Sequence, residues 1–390
     1  MSMTKIKVLH VVNNLCCGGI ETWLRNVVRQ RDPRIQNDFA VLTPPDRKCY
    51  DDEVKSMGAA VHQLFASHGR NPFIKYRLLR KEFERLLKQH PYDAVHVHIF
   101  GLAGHFLKVA AKQNVPVRVV HSHISRKPKP RTLFEKMFLP LHLENNLRGF
   151  FRYATDIVAC SSDSGEALVG KNVWRSDHRC KVVFCGIDLE EFQKAISVSN
   201  DFRRDFGIPA DALVIGHVGN MSTRKNQKFI IDVAKELLRR DSRYYFFLGG
   251  EGKSQREIKD YAVSAGVSDH VVMPGLCNAP ALMCGLFDLF ILPSLFEGLP
   301  LVGLEAAAAG LFTVCSDTIT TDYTESSLKD RVRAVSLSAP VSHWADCVED
   351  GIARRISPVE GMNLLRQGGF SIESSVEQLF QLYSKRLSSV

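Results

Sequence analysis

Residues 213–240 read Leu213-Val-Ile-Gly-His-Val-Gly219-Asn220-Met-Ser-Thr-Arg224-Lys225-Asn-Gln-Lys-Phe-Ile-Ile-Asp-Val-Ala-Lys-Glu-Leu-Leu-Arg-Arg240. A short apolar run gives way to a Gly-led loop. The loop leads into Ile230, Val233, Ala234, Leu237 and Leu238, spaced i, i+3, i+4, i+7, i+8. The run suits a strand buried on both faces of a parallel sheet, and the spacing an amphipathic helix that covers it. The same unit opens the chain: residues 5–12 run into Asn13-Asn-Leu-Cys-Cys-Gly18-Gly19-Ile-Glu21, followed by Ile20, Trp23, Leu24, Val27 and Val28 at helical spacing.

Outward from these two units the alternation continues. Strands are expected at 38–43, 59–65, 93–98, 115–121, 156–160 and 181–184, then at 244–249, 270–273, 288–292 and 311–315. Two successive strand–helix series predict two doubly wound, Rossmann-like α/β domains facing across a cleft. A polar stretch (Ser197, Ser199, Asn200, Asp201) suggests a boundary, giving domains 1–192 and 193–371. Ligands of such sheets bind beyond the carboxyl ends of the strands, so the site is expected in the cleft.

Composition narrows the class. With 390 residues, 45% apolar and 24% charged, the chain is neither disordered, nor a fibre, nor a small disulfide scaffold. No run approaches the ~18 apolar residues of a membrane span, and the start is too polar for a secretion signal. Ten cysteines without a Cys-x-x-Cys read as reduced thiols, so a cytoplasmic protein is expected. The net charge of +9 is uneven: residues 1–190 carry +12 and residues 191–390 carry −3. Cations cluster in 70–88 and 118–152, interleaved with Phe73, Tyr76, Phe83, Leu86, Phe134, Phe138, Leu139 and Leu141. That mixture suits a peripheral segment on an anionic membrane surface, and equally the inner side of a core-packing helix. No nucleic-acid motif accompanies it, so no nucleic-acid partner is expected.

Four groups of residues could carry chemistry. Gly18-Gly19 before a helix lets a ligand approach the backbone and offers N–H groups to an anion, though it also reads as a plain tight turn. Gly219-Asn220 with Arg224-Lys225 at a strand-to-helix junction suits a diphosphate. Residues 293–310, Pro-Ser-Leu-Phe-Glu297-Gly298-Leu299-Pro300-Leu301-Val-Gly303-Leu-Glu305-Ala-Ala-Ala-Ala-Gly, set one carboxylate ahead of a small-residue helix and one inside it. Carboxylates accept from vicinal hydroxyls, so one suits a sugar and the other a ribose. Finally, His96-Val-His98 and His121-Ser-His123 each place two imidazoles on one face of a strand. Such pairs could bind zinc, which opens the reading of a zinc-dependent hydrolase on His121 and His123. His96 and His98 read better as packed residues, and His121 as a polar contact to the reacting substrate. The chain has no Asp-x-Asp triplet, so neither a metal nor another cofactor is expected.

Together these residues resemble the retaining nucleotide-sugar glycosyltransferases of family 4, with the two-domain GT-B fold. The resemblance rests on Gly18-Gly19-Ile20-Glu21, His121, Asp156-Ile-Val-Ala-Cys-Ser-Ser, Gly186-Ile-Asp188, Arg224-Lys225-Asn226 and Phe296-Glu-Gly-Leu-Pro with Glu305. It is strongest for the exopolysaccharide and capsule branch. It implies that Glu297 contacts the donor sugar and Glu305 the ribose, with the backbone of Gly298, Leu299, Pro300 and Leu301 beside sugar and phosphate. Lys225, helped by Arg224, would neutralise the leaving diphosphate near Gly18-Gly19 and Asn220, and His121 would hydrogen-bond the sugar. Residues 372–390 would be a helix crossing back to the first domain. The donor would be a UDP-sugar and the acceptor a lipid-linked or polysaccharide hydroxyl. An epimerase of the same fold is the alternative. The sequence departs from the family at Cys185, Asn220 and Gly303, where Asn, Arg and a larger aliphatic residue are common.

Overall fold

The computed structural model describes residues 5–16, 18–44, 49–64, 72–123, 125, 144, 146–197 and 201–388. Two all-parallel sheets account for the alternation. The first contains β1 (Ile6–Val12), β2 (Ile35–Val41), β3 (Val61–Gln63), β4 (Ala94–Val97), β5 (Val117–Ser122), β6 (Asp156–Ala159) and β7 (Cys180–Val182), in the order β3-β2-β1-β4-β5-β6-β7. The second contains β8 (Leu213–Val218), β9 (Tyr244–Gly249), β10 (Val271–Gly275), β11 (Leu289–Leu292), β12 (Thr313–Ser316) and β13 (Val332–Val335), in the order β10-β9-β8-β11-β12-β13. In each, the connections reverse direction beside the first strand, between β1 and β4 and between β8 and β11. These are the switch points where loops part and a ligand fits. The strand β13 was not expected from sequence. At the edge of its sheet Arg333 and Ala334 are exposed, so it has no apolar run to announce it.

The chain divides into two units, residues 1–185 with 372–390, and residues 186–371. The expected boundary at 192/193 therefore falls inside the helix Leu189–Ile196, which belongs to the second unit. Asp188 caps that helix by accepting from the Glu190 N–H, and Leu189 and Phe192 are buried. The polar stretch misled because it follows this helix. The change of unit comes earlier, at Gly186, where a Cβ would lie 2.1 Å from the Ser371 carbonyl oxygen.

The helix Ile372–Leu387 completes the first unit, against the helix Gly19–Arg29 and β5. It buries Ile372, Val376, Leu379, Leu382 and Tyr383, a stripe at helical spacing. Its polar side is tied down as well. Arg386 donates from Nε to the fully buried Asp156 at 2.9 Å, which also meets Lys181 Nζ at 2.7 Å. Arg34 pairs with Glu377 at 2.7 Å and lies over the Phe380 ring.

The helix Pro72–Gln89 exposes Arg77, Arg80, Lys81, Arg85 and Lys88 but buries Phe83 and Leu86 in the core of the first unit. For these two apolar residues the core-packing alternative holds and the membrane-facing one does not. Arg118 is spent internally, donating to the carbonyls of Tyr153, Val115 and Pro116. Cys17, Arg70 and residues 126–143, with the side chains of Phe73, Lys75 and Tyr76, lie outside the described residues. No helix among the described residues is long and apolar enough to cross a membrane.

Candidate active site

In the second unit the switch point gathers the predicted charges. After β8, residues Thr223–Lys225 form a single 3-10 turn that ends on Asn226 in the left-handed region, at φ 57°. Asn tolerates that conformation better than most side chains, and its Nδ2 donates to the Pro293 carbonyl at 3.2 Å. The Leu295 N–H donates to the Arg224 carbonyl at 2.8 Å. These two bonds stitch the loop after β8 to the loop after β11 and set both cations beside Glu297. Lys225 Nζ lies 2.8 Å from Glu297 Oε1, and Arg224 Nη1 lies 2.5 Å from Oε2. The Lys225 stem passes over Gly219, where a Cβ would come within 3.2 Å of it.

Burial pushes the Glu297 carboxyl up, but the Lys225 and Arg224 charges outweigh it and hold it below the usual carboxylate range. The trio therefore carries one net positive charge. Lys225 and Glu297 are buried, while Arg224 remains 41% exposed in its side chain and so reaches solvent. Beneath them His217 donates from Nδ1 to the Ile291 carbonyl at 2.9 Å, and burial lowers it to about 4. Gly298, Leu299 and Pro300 are buried in the turn that enters the helix Leu301–Ala308, whose N-terminus no side chain caps. Glu305 is half-buried on that helix, and its charge adds to the burial that pushes the Cys277 thiol up to about 11. Asn220 is exposed; its carbonyl accepts from Gln227 Nε2 at 3.0 Å. Gly303 has a steric reason: a Cβ there would lie 2.7 Å from the Tyr323 hydroxyl.

The first unit holds Gly18, Gly19 and His121. Gly18 precedes the helix Gly19–Arg29 and has an extended backbone at φ −154°, so the pair marks a helix N-terminus and not a left-handed turn. Trp23 of that helix packs edge-on against His121. Five imidazoles meet here: His10, His96, His98, His121 and His123, joined by stacked and tilted ring contacts. Burial, with neighbouring imidazoles adding to it, holds His96, His98 and His121 well below their ordinary value, and burial lowers His10 to about 4 and His123 to about 3. All five are neutral near pH 7.

Nitrogen atoms of His10, His96 and His98, and of His98, His121 and His123, lie within 4.8 Å of one another, close enough for metal ligation. They also lie within hydrogen-bonding distance of each other. His10 Nδ1 lies 3.0 Å from His98 Nε2, His98 Nδ1 lies 2.9 Å from His123 Nε2, and His96 Nε2 lies 3.2 Å from His121 Nδ1. Without a metal, each pair is a hydrogen bond in which one nitrogen carries the proton and the other accepts it; the same separations also suit two ligands of one metal ion.

The structure thus joins Arg224, Lys225 and Glu297 in one cluster, sets Gly298 to Leu301 and Glu305 on the adjoining turn and helix, and holds His121, Gly18 and Gly19 in the other unit. Sequence reasoning missed His10, His217 and Tyr383. The two histidines had a signal, each standing in the later half of the first strand of its sheet, His10 between Leu9 and Val11 and His217 between Gly216 and Val218. Tyr383 had none: it meets His96 across 287 positions of chain.

Comparison with known proteins identifies the family and the fold. The family model described as Glycosyltransferase Family 4 matches residues 17–191, and that for Glycosyl transferases group 1 matches residues 198–330. The chain is 32% identical to EpsF of Bacillus subtilis, named as a glycosyltransferase, over 98% of each chain. It is 23% identical to CapH of Staphylococcus aureus, a capsular polysaccharide biosynthesis glycosyltransferase, covering 98% of this chain and 99% of CapH. Among solved structures, Anabaena HepE in complex with UDP-glucose superposes with a TM-score of 0.75 at 18% identity, over 99% of this chain and 100% of that one.

Proposed function

The chain belongs to glycosyltransferase family 4, of the capsule and exopolysaccharide type, and from that premise we propose that it moves a sugar from UDP to an acceptor hydroxyl with its anomeric configuration kept. Its fold is the two-domain, Rossmann-like GT-B arrangement. The observation that carries the reading is the trio of Arg224, Lys225 and Glu297 at the β8/β11 switch point. A site with one surplus positive charge and an uncapped helix N-terminus beside it is built to receive an anion.

In this reading the diphosphate competes with Glu297 for its two cations. Arg224, the exposed one, turns to the phosphates first, and Lys225 remains between carboxylate and anion. Glu297, relieved of one partner, accepts from hydroxyls of the donor sugar, and Glu305 accepts from the ribose. The backbone amides of Gly298, Leu299 and Leu301 face sugar and phosphate. Gly18, Gly19 and Asn220 leave room for the diphosphate, and His121 contacts the sugar. The bond from the anomeric carbon to phosphate oxygen breaks as the acceptor oxygen bonds to that carbon on the same face. The acceptor proton passes to the departing phosphate. Lys225 and Arg224 stabilise the charge that develops there, the largest contribution such a site can make. No metal is required in this scheme, so activity is expected to survive a chelator.

A lipid-linked or polysaccharide acceptor fits the relatives' names. The exposed cations Arg77, Arg80, Lys81, Arg85 and Lys88 would hold the enzyme on an anionic membrane surface, measurable as salt-sensitive co-sedimentation with anionic vesicles. Thermal stabilisation across a panel of nucleotide sugars, followed by transfer assays, tests the donor, because a bound ligand raises the melting point by mass action. Stabilisation by UDP and a UDP-sugar is expected. A complex with the diphosphate far from Lys225, Glu297 and Glu305 would overturn the assignment, and donor turnover without an acceptor would favour the epimerase.

A further inference from the structure

The five clustered histidines, four of them buried and His123 partly so, fall into two rows of hydrogen bonds, and the rows end differently. One begins at the Cys185 thiol, which burial keeps protonated, 3.6 Å from His123 Nδ1. If the thiol donates, neutral His123 carries its proton on Nε2 and donates to His98 Nδ1 at 2.9 Å. His98 then donates from Nε2 to His10 Nδ1 at 3.0 Å, and His10 from Nε2 to the Asn37 amide oxygen at 3.0 Å. Every donor finds an acceptor, and the row closes.

The other row begins at Tyr383. Its hydroxyl is 2.6 Å from His96 Nδ1, and His96 Nε2 is 3.2 Å from His121 Nδ1. His121 Nε2 is buried and has no partner among the described residues. Two proton arrangements are possible for neutral rings. In the first, Tyr383 donates to His96, His96 donates from Nε2 to His121, and one group is left unmatched, the His121 Nε2–H. In the second, every bond reverses: His121 Nε2 is an unmatched lone pair and the buried Tyr383 O–H is stranded too. Orphaned buried polar groups are costly, so the arrangement with one of them prevails. The tautomer of one imidazole nitrogen is dictated by what its other nitrogen bonds.

We propose that Tyr383, acting through His96, fixes His121 as the Nε2–H tautomer and so makes it a dedicated hydrogen-bond donor to an acceptor oxygen of the ligand. Tyr383 and His96 are positioning residues. The terminal helix supplies the proton that decides what a residue on β5 can recognise. The inference adds to the proposed function and rests on it only for the ligand, a sugar oxygen of the donor. The row that closes on Asn37 serves as the internal contrast, since the same ring chemistry there leaves nothing over.

The test uses the full chain labelled with 15N-histidine. Long-range 1H–15N spectra of the ligand-free protein are expected to show His121 protonated on Nε2. In Tyr383→Phe, which keeps the ring, and in His96→Leu, which removes the middle link but fills its space, that single tautomer should give way to a mixture. UDP-glucose, whose sugar would accept from His121, should bind both variants roughly tenfold more weakly, while UDP alone binds as before. His121 protonated on Nδ1 in the unaltered chain, or an unchanged Nε2–H signal in both variants, would overturn the proposal. The spectra need no ligand. If they come out as expected while the unaltered chain binds neither UDP nor UDP-glucose, the donor assignment fails and the relay stands.

Discussion

The two switch points of this molecule solve one problem in opposite ways. Beside β8 and β11 the buried polar groups are ions, Lys225 and Arg224 against Glu297. Beside β1 and β4 they are neutral imidazoles that hand protons along a row. Ions inside a protein are stable only in pairs, and such a pair can be reopened by a ligand carrying charge of its own. A neutral row costs less to bury but depends on every ring staying neutral. The difference teaches that one architecture can prepare one site to exchange charge and another to fix the direction of a hydrogen bond.

Acid should separate the two most strongly. The five clustered histidines of the first unit titrate in the folded state far below 6.5, with His10 at about 4 and His123 at about 3. The unfolded chain takes up these protons near 6.5, so their stabilisation is complete above that pH and is lost as pH falls toward the folded values. Each contributes a slope of up to about 1.4 kcal/mol per pH unit, together up to about 7. The second unit has His217 alone in this class among the described residues, at about 4, and Glu297, whose carboxyl is held below the usual carboxylate range, so its contribution is present above that range and lost as pH falls through it. Hydrogen exchange between pH 7 and 5 should show the first unit opening before the second; the reverse order would break the comparison.

Next in size is Lys225→Ala. It strips one cation from a buried carboxylate and from the leaving group, and transfer should fall about a thousandfold with the fold retained. Turnover like that of the unaltered chain would mean that the ion trio is only structural. The smallest effect sharpens the comparison by testing plain packing. Gly303→Ala should cost about 1–3 kcal/mol, because its Cβ would lie 2.7 Å from the buried Tyr323 hydroxyl and 2.8 Å from the ring carbon that bears it, and Tyr323→Phe in the same chain should restore only a small part of the loss, since that ring carbon stays. A melting series of the two single variants and the double one reads the coupling.

Much of this was legible in the sequence, and the reason is local chemistry. Apolar runs of parallel strands and the 3.6 period of Ile230 to Leu238 are written in consecutive residues, as are Arg224-Lys225 and Phe296-Glu297-Gly298. Whatever depends on register across the sheet was not. His96 and His98 read as packed residues and are packed. That they meet His10, His121 and His123 follows from strand order, which places β4 between β1 and β5. Cys185, noticed only as a departure from the family's Asn, lies within hydrogen-bonding distance of His123. The edge strand β13 and the true end of the first unit at Cys185 lacked the apolar contrast that pattern reading needs.

One feature of the chain path bears on biosynthesis. The second unit is continuous from Gly186 to Ser371, whereas the first includes the helix Ile372–Leu387. On the ribosome the downstream half is therefore ready to fold while the upstream half still lacks its closing helix. Until that helix emerges, Asp156 is missing Arg386 and His96 is missing Tyr383. The part synthesised first is the part finished last, so its nascent sheet must wait until residues 372–387 have been made.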